Sequence, residues 1–376
     1  MVKFNVDAKS EIGKTGLRAG TITDGGIRIS TPTRVLNATE LNHGKKISDS
    51  GLARDNFPHD LFEINKFMRP QAVSDFISDA EVSATILKQI KKNSASAGNK
   101  ITIFHPVMNR QMEITDEINT KLIELQLQAD IDLIAIMDTY NSEITDLRKR
   151  IKSSLERIRA LDDNVVTPML TLRMDSDEKL FLKKLELAVE EELTVINLTY
   201  ASILENYQNY SALIDFTEKN SNIWIHMSEV PRKLLRTIPA GHLLPLFGID
   251  TFALDSKPIP MGLIKRTMKE AKRFDRNSLK FLTLKEHVEV YGDSPKCNCF
   301  VENREKLSDV MKVYQASQLL SSSLSCHEAV SSHQEMGNLR TAILEEKSKK
   351  YLLRKENLLE GIKRLLKIDL AQEKLG

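Results

Sequence analysis

The chain is poor in aromatic residues, which make up 6% of its 376 residues and include a single Trp. Long alternations of apolar and charged residues then favour an α/β or helical protein over an all-β one. Cysteine is scarce too: Cys297, Cys299 and Cys326 are the whole set. An odd number makes a poor disulfide framework, but it suits a reducing compartment and is ordinary for a metal site. No apolar run approaches the roughly 20 residues that span a bilayer. The opening MVKFNVDAKS lacks the apolar stretch of a secretion signal. A soluble, cytoplasmic protein without a membrane partner is the expectation. Neither sign of charge dominates, since 54 basic residues face 52 acidic ones. A nucleic-acid partner would therefore need a local basic patch. No P-loop, G-x-S-x-G or H-E-x-x-H motif occurs, and no internal repeat.

What the sequence does contain is rhythm. Short β-branched runs lie at 27–36, 100–107, 131–138, 165–172, 193–199, 222–229 and 247–254. Stretches of helical period separate them, as at 115–130, 145–161 and 177–192. Such alternation predicts βα units on a parallel sheet. Seven visible strands point to an eight-stranded (β/α)8 barrel, with an open doubly wound sheet as the runner-up. No glycine-rich turn follows the first strand, which counts against dinucleotide binding. Residues 39–99 are poorly periodic and read as loops with one or two helices over the barrel mouth. The rhythm breaks at 275–300, and 303–322 and 328–374 read as helices. The expected division is a barrel over 1–290, a metal-binding subdomain over 291–345 and a helical tail over 346–376.

In parallel barrels chemistry sits where strands end. The polar residues that stop the apolar runs are therefore candidates: Asp138, Arg173, Glu229 and Asp255, with Asp79 ahead of the first central strand. Converging carboxylates suit a nucleophile and an acid or base. Each could instead cap the following helix. Cys297-x-Cys299, followed by Cys326 and His327, offers thiolate and imidazole for a structural zinc. His333 is a weaker ligand candidate. Buried thiols and a satisfied histidine are the alternative. The remaining histidines, His43, His59, His105, His226, His242 and His287, show no pairing pattern, and no role is expected of them.

Several segments, in order, resemble the tRNA-guanine transglycosylase superfamily. GKTGLRAGTITDGGIRISTPT (13–33) is similar to its opening hairpin and Thr-Pro strand. KFMRPQAVSDFISDAEV (66–82), the stretch ending in Asp138, and PRKLLRTIPAGHLLPLFGIDTFALDS (231–256) follow, and then CNCFVENREKLSDV with its later histidine. The resemblance implies a (β/α)8 barrel that exchanges guanine in tRNA, or in DNA, for a 7-deazaguanine base through a covalent aspartyl-ribosyl intermediate. It implies Asp255 as nucleophile, although Ala253 stands in strict register, and Asp79 as general acid/base. Asp49 in SDSG matches that motif's letters but comes too early. Asp138 would recognise the base; Arg173 and Glu229, read from the strand ends alone, are expected at the substrate beside it. Zinc would be held by Cys297, Cys299 and His327, with Glu302 or Cys326 as fourth ligand. The family's glycines are missing at TLRMD (171–175) and NLTYAS (197–202), where side chains would fill the base pocket. A non-catalytic partner subunit of a heterodimeric transglycosylase is the alternative. An unrelated barrel enzyme is the third reading. Homo- or heterodimerisation is a further expectation. Lys265, Arg266, Lys269, Lys272, Arg273, Lys347, Lys349 and Lys350 are candidates for phosphate contact.

Overall fold

A computed structural model describes residues 1–51, 60–98, 100–109, 112–139, 142–161, 166–233, 240–255, 271–294 and 306–355, with 358, 362 and 363. Three strands come first: β1 (Lys3–Lys9), β2 (Arg18–Asp24) and β3 (Ile27–Thr31) form an antiparallel sheet. A cis peptide at Thr31–Pro32 leads into β4 (Thr33–Asn37). The apolar run 27–36 is thus two strands belonging to two sheets.

The barrel follows as β4, α1 (Ala38–Asp49), β5 (Leu61–Met68), α2 (Pro70–Ser78), α3 (Ala80–Ala97), β6 (Ile101–Met108), α4 (Asp116–Gln128), β7 (Leu133–Met137) and α5 (Ile144–Leu161). It continues with β8 (Thr167–Arg173), α6 (Glu178–Glu190), β9 (Val195–Thr199), α7 (Tyr207–Lys219), β10 (Trp224–Val230), two 3-10 turns and β11 (Thr251–Leu254). Strands β4 to β11 close into one barrel, with β11 pairing back onto β4, and every pair is parallel. The expected (β/α)8 architecture is present. β5 is the eighth strand; it lies inside the stretch 39–99 read as loops and helices. FEINKF (62–67) mixes charge into a buried strand, so it carries no apolar run to notice.

The insert contributes β12 (Lys272–Asp275), β13 (Lys280–Thr283), α8 (Leu284–Tyr291) and α9 (Leu307–Ala316). Then come α10 (Leu320–Leu344) and α11 (Ser348–Leu353). The break expected between 322 and 328 does not exist, because α10 runs through it. α10 packs on α1, β4 and β12 as the barrel's last outer helix. The packing therefore places α10 with the barrel, although the expected division put it in the metal-binding subdomain.

Local chemistry starts the helices where the strands stop. Asn37 and Glu40 form a reciprocal capping box on α1. Thr115 and Asp177 cap α4 and α6 through their side chains. Branched and aromatic side chains fill the layer between strands and helices, among them Phe62, Phe181, Leu198, Met227 and Phe252.

The N-terminal sheet covers the end of the barrel where the strands begin. Arg18 reaches Asp250 through two bonds of 2.9 and 2.6 Å, just before β11. Val2 donates to Thr167 at the start of β8. Gly16 lies against Gly248 so closely that a Cβ would sit 2.5 Å from the Gly248 nitrogen. With that end sealed, the opposite mouth is the open one. No helix among the described residues is long and apolar enough to cross a membrane.

Candidate active site at the barrel mouth

Inward side chains alternate with outward ones along each strand. On β10, His226 and Ser228 point in, so Glu229 should point out. The backbone overrides that alternation. The pairing of β10 with β11 slips between Met227 and Val230, and Glu229 has φ of 59°. A bulge with a left-handed residue re-aims a side chain, and a non-glycine residue is strained there by roughly 1–3 kcal/mol. Here it turns Glu229 to the mouth, where its Oε1 lies 2.9 Å from His105 Nε2.

His105 comes from β6 and is 1% exposed, whereas the Glu229 side chain keeps 19% of its surface in solvent. Burial pushes the imidazole down, but Glu229 and the charge of Glu63 outweigh it, so His105 titrates above the ordinary histidine range. An imidazole and a carboxyl group thus face each other at the mouth, and one wall of the pair remains wet.

Around them lies a cavity of about 30 Å³. Its lining includes Asp138, Thr171, Arg173 and Thr199 beside the pair. Three of the five acid–base and substrate residues expected from sequence, Asp138, Arg173 and Glu229, are therefore brought together. Arg173 stands in the glycine-depleted stretch 171–175 and pairs with Asp175, at 3.1 Å through each of two nitrogens. The Thr171 hydroxyl is buried without a hydrogen-bond partner among the described residues.

Asp138 is already engaged. Its Oδ2 takes a 2.6 Å bond from Lys184 of α6, and its Oδ1 accepts from Ser142. Burial raises its carboxyl above the usual carboxylate range, against the pull of Lys184 and Ser142. Both oxygens are committed inside the protein, which leaves little of Asp138 to recognise a base.

Asp255 directly follows β11, and its backbone nitrogen donates to Val230 at 2.8 Å. This bond ties it to the strand that carries Glu229. Ala253, the residue in strict nucleophile register, is buried in the core. Asp79 is elsewhere: it sits exposed between α2 and α3, and its Oδ1 caps α3 by accepting from Glu81 and Val82. The capping alternative describes it, and it does not line the mouth cavity. Asp49 is the exposed last residue of α1.

Cys297, Cys299 and Glu302 lie outside the described residues. His327 lies inside α10, where its Nε2 is 2.8 Å from the Phe274 carbonyl and its Nδ1 3.4 Å from an Arg273 nitrogen. The tautomer that donates Nε2–H to the carbonyl leaves the Nδ1 lone pair facing the Arg273 guanidinium. Cys326 packs among Ile47, Leu324 and Val330, and burial pushes its thiol up. Among the described residues no group of three or more His, Cys, Asp or Glu could hold a metal ion. With Cys297, Cys299 and Glu302 outside the described residues, His327 and Cys326 are the members of the expected zinc set whose surroundings are seen. His333, the weaker candidate, lies with its Nδ1 3.2 Å from the Thr33 hydroxyl.

Lys265, Arg266 and Lys269 also lie outside the described residues. Arg273 is buried against His327, while Lys272 is exposed. Lys347, Lys349 and Lys350 lie at the start of α11, where the Lys349 backbone nitrogen donates to Glu11, in the loop between β1 and β2, at 2.8 Å.

The sequence reading missed His105, Glu63 and Asn197. A usable signal existed for His105: it stands at inward parity in ITIFHPV, two residues beyond Ile103 on the same face.

No family model matches the chain, and no curated protein does. Several solved structures are distantly similar. A candidate phosphonomutase from Burkholderia cenocepacia J2315 aligns at 10% identity and TM-score 0.37, over 60% of this chain and 86% of that one. The YdjI aldolase of Escherichia coli K12 aligns at 10% identity and TM-score 0.39, over 81% and 93%. The carboxyl transferase domain of Rhizobium etli pyruvate carboxylase with 3-bromopyruvate aligns at 10% identity and TM-score 0.40, over 90% of this chain and 54% of that one. Likenesses this slight bear on neither substrate nor residues.

Proposed function

We propose that the chain is a guanine-transglycosylase-like enzyme acting on tRNA or DNA, with a proton-transfer pair of its own. Asp255 is the nucleophile, and His105 with Glu229 replaces Asp79 as acid and base. The observation that carries this reading is the His105–Glu229 pair, turned into the mouth by a bulge one strand away from Asp255. A nucleotide flipped from its stack would enter the mouth. The Asp255 carboxylate forms a bond to ribose C1′ as the bond to guanine breaks. The leaving base takes a proton from His105, whose lost charge Glu229 had balanced. An incoming 7-deazaguanine then bonds to C1′, releases Asp255 and returns a proton to the imidazole. A zinc held at Cys297 and Cys299 would be structural and takes no part in these steps.

A second reading is the non-catalytic partner subunit of a heterodimeric transglycosylase. Two observations favour it: both Asp138 oxygens are engaged, and the cavity of about 30 Å³ has room for roughly one water.

Exchange of labelled guanine into tRNA and into duplex DNA separates the readings. The enzyme reading expects label in one polymer, its loss in Asp255→Ala, and a fall of about 10²–10⁴-fold in Glu229→Gln. Asp79→Asn keeps the rate, since Asp79 only caps a helix. If the folded protein transfers label to neither polymer, the partner reading replaces the enzyme one. It then requires co-elution with an active transglycosylase in size-exclusion chromatography.

A further inference from the structure

Below the mouth, the barrel interior is polar where parallel barrels ordinarily close on branched apolar side chains. Glu63 of β5 lies 2.8 Å from His226 Nε2 and 2.5 Å from Ser228 Oγ through one oxygen. Ser228 Oγ is 3.0 Å from Asn197 Oδ1, and Asn197 Nδ2 is 3.3 Å from His105 Nδ1. His105 Nε2 then meets Glu229. Glu63, Asn197, His226 and Ser228 are wholly buried. A continuous chain of hydrogen-bonding groups thus runs from the middle of the barrel to its mouth.

Counting hydrogens gives the chain a direction. Ser228 has one hydroxyl hydrogen and two neighbours to serve. Glu63, an anion, is the stronger acceptor. With the Ser228 hydrogen on Glu63, Asn197 satisfies both its neighbours only when its amide is turned over from the placement above, so that the nitrogen donates to Ser228 and the oxygen accepts from His105 Nδ1. That arrangement needs a proton on Nδ1, while Nε2–H serves Glu229. In that orientation His105 carries two protons. At the far end Thr251 Oγ1 accepts from Trp224 at 2.8 Å and turns its hydrogen to His226 Nδ1 at 2.9 Å. The His226 Nε2–H is left for Glu63.

We propose that Glu63, Ser228 and Asn197 form a positioning chain that keeps His105 in its two-proton form with Nε2 aimed at the mouth. The inference deepens the enzyme reading, because it concerns the group that reading makes the proton donor. The charged groups that face His105 are Glu229 from β10, Glu63 from β5 and Arg173 from β8. Asp138 lines the same cavity from the end of β7. Burial and Arg173 work against the imidazolium, whereas Glu63 and Glu229 hold it. For Glu63 itself burial acts upward, but His226, His105 and Ser228 prevail and its carboxyl titrates below the ordinary range. Glu63 is thus the buried countercharge of the chain.

The test is a pH titration of imidazole resonances in the labelled full chain, with His105→Gln identifying the signal. The wild-type His105 midpoint is expected above that of an exposed histidine, near 6.5. Glu63→Gln keeps the shape and removes the charge, and should lower the midpoint by about one pH unit or more. Ser228→Ala breaks the chain while keeping the charge, and should lower it by less. A His105 midpoint at or below the ordinary value overturns the proposal. So does a midpoint unmoved in folded Glu63→Gln; should that variant not fold, an unmoved midpoint in Ser228→Ala overturns it equally. The titration uses no nucleic acid, so a protein without exchange activity can still pass it, and an active enzyme can still fail it.

Discussion

Arg18→Ala should lower the stability of the protein by about 3–5 kcal/mol, the cost of leaving one buried partner of an ion pair uncompensated. The Arg18 and Asp250 side chains are 3% and 0% exposed. Arg18 also donates to the carbonyls of Thr217 and Ile223, at 3.3 and 2.7 Å. Its loss strands an anion and two acceptors at the sealed end of the barrel. Asp250 keeps a bond from the Ile225 nitrogen at 2.8 Å, which does not replace a charge. Urea denaturation of Arg18→Ala, Asp250→Ala and the double variant measures the coupling. The double variant should be less damaged than the sum of the singles. Strict additivity would mean that the pair does not hold the N-terminal sheet to the barrel.

Lys184→Ala should be comparably severe, again about 3–5 kcal/mol. Lys184 reaches from α6 to Asp138, and both side chains are 0% exposed. Removing the ammonium leaves a carboxylate with Ser142 as its remaining side-chain donor. That carboxylate can escape by taking up a proton, so the loss should shrink when stability is measured at about pH 4 instead of pH 7. Lys184→Met combined with Asp138→Asn should recover most of the loss, because no charge remains to be stranded. A Lys184→Ala variant as stable as the parent at pH 7 would show that Asp138 is not held by this contact. It could then be available to a ligand.

The parallel barrel was legible because seven of its eight strands lie in short apolar runs set between helices of clear period. β5 was not, since Glu63, Asn65 and Lys66 interrupt its apolar pattern, and the charge that hid the strand belongs to the buried chain. The strand ends were legible as well: Asp138, Arg173, Glu229 and Asp255 all sit at or just beyond them. The partners that decide their chemistry were not. Lys184 lies 46 residues from Asp138, and His105 lies 124 from Glu229, distances over which spacing says nothing. The direction of Glu229 depends on a one-residue slip of register, which alternation read from the sequence puts on the wrong face. Asp79 read as chemistry because an aspartate that caps a helix and one that moves a proton look the same in a string of letters.

The covalent step is the centre of the account, and trapping it is the most direct measurement. The protein would be mixed with tRNA or with duplex DNA, without incoming base, and denatured. The account predicts a polymer-linked species, absent in Asp255→Ala, with the attachment found on the peptide bearing Asp255 by mass spectrometry. An adduct on another carboxylate, or none with either polymer from folded protein, would contradict it.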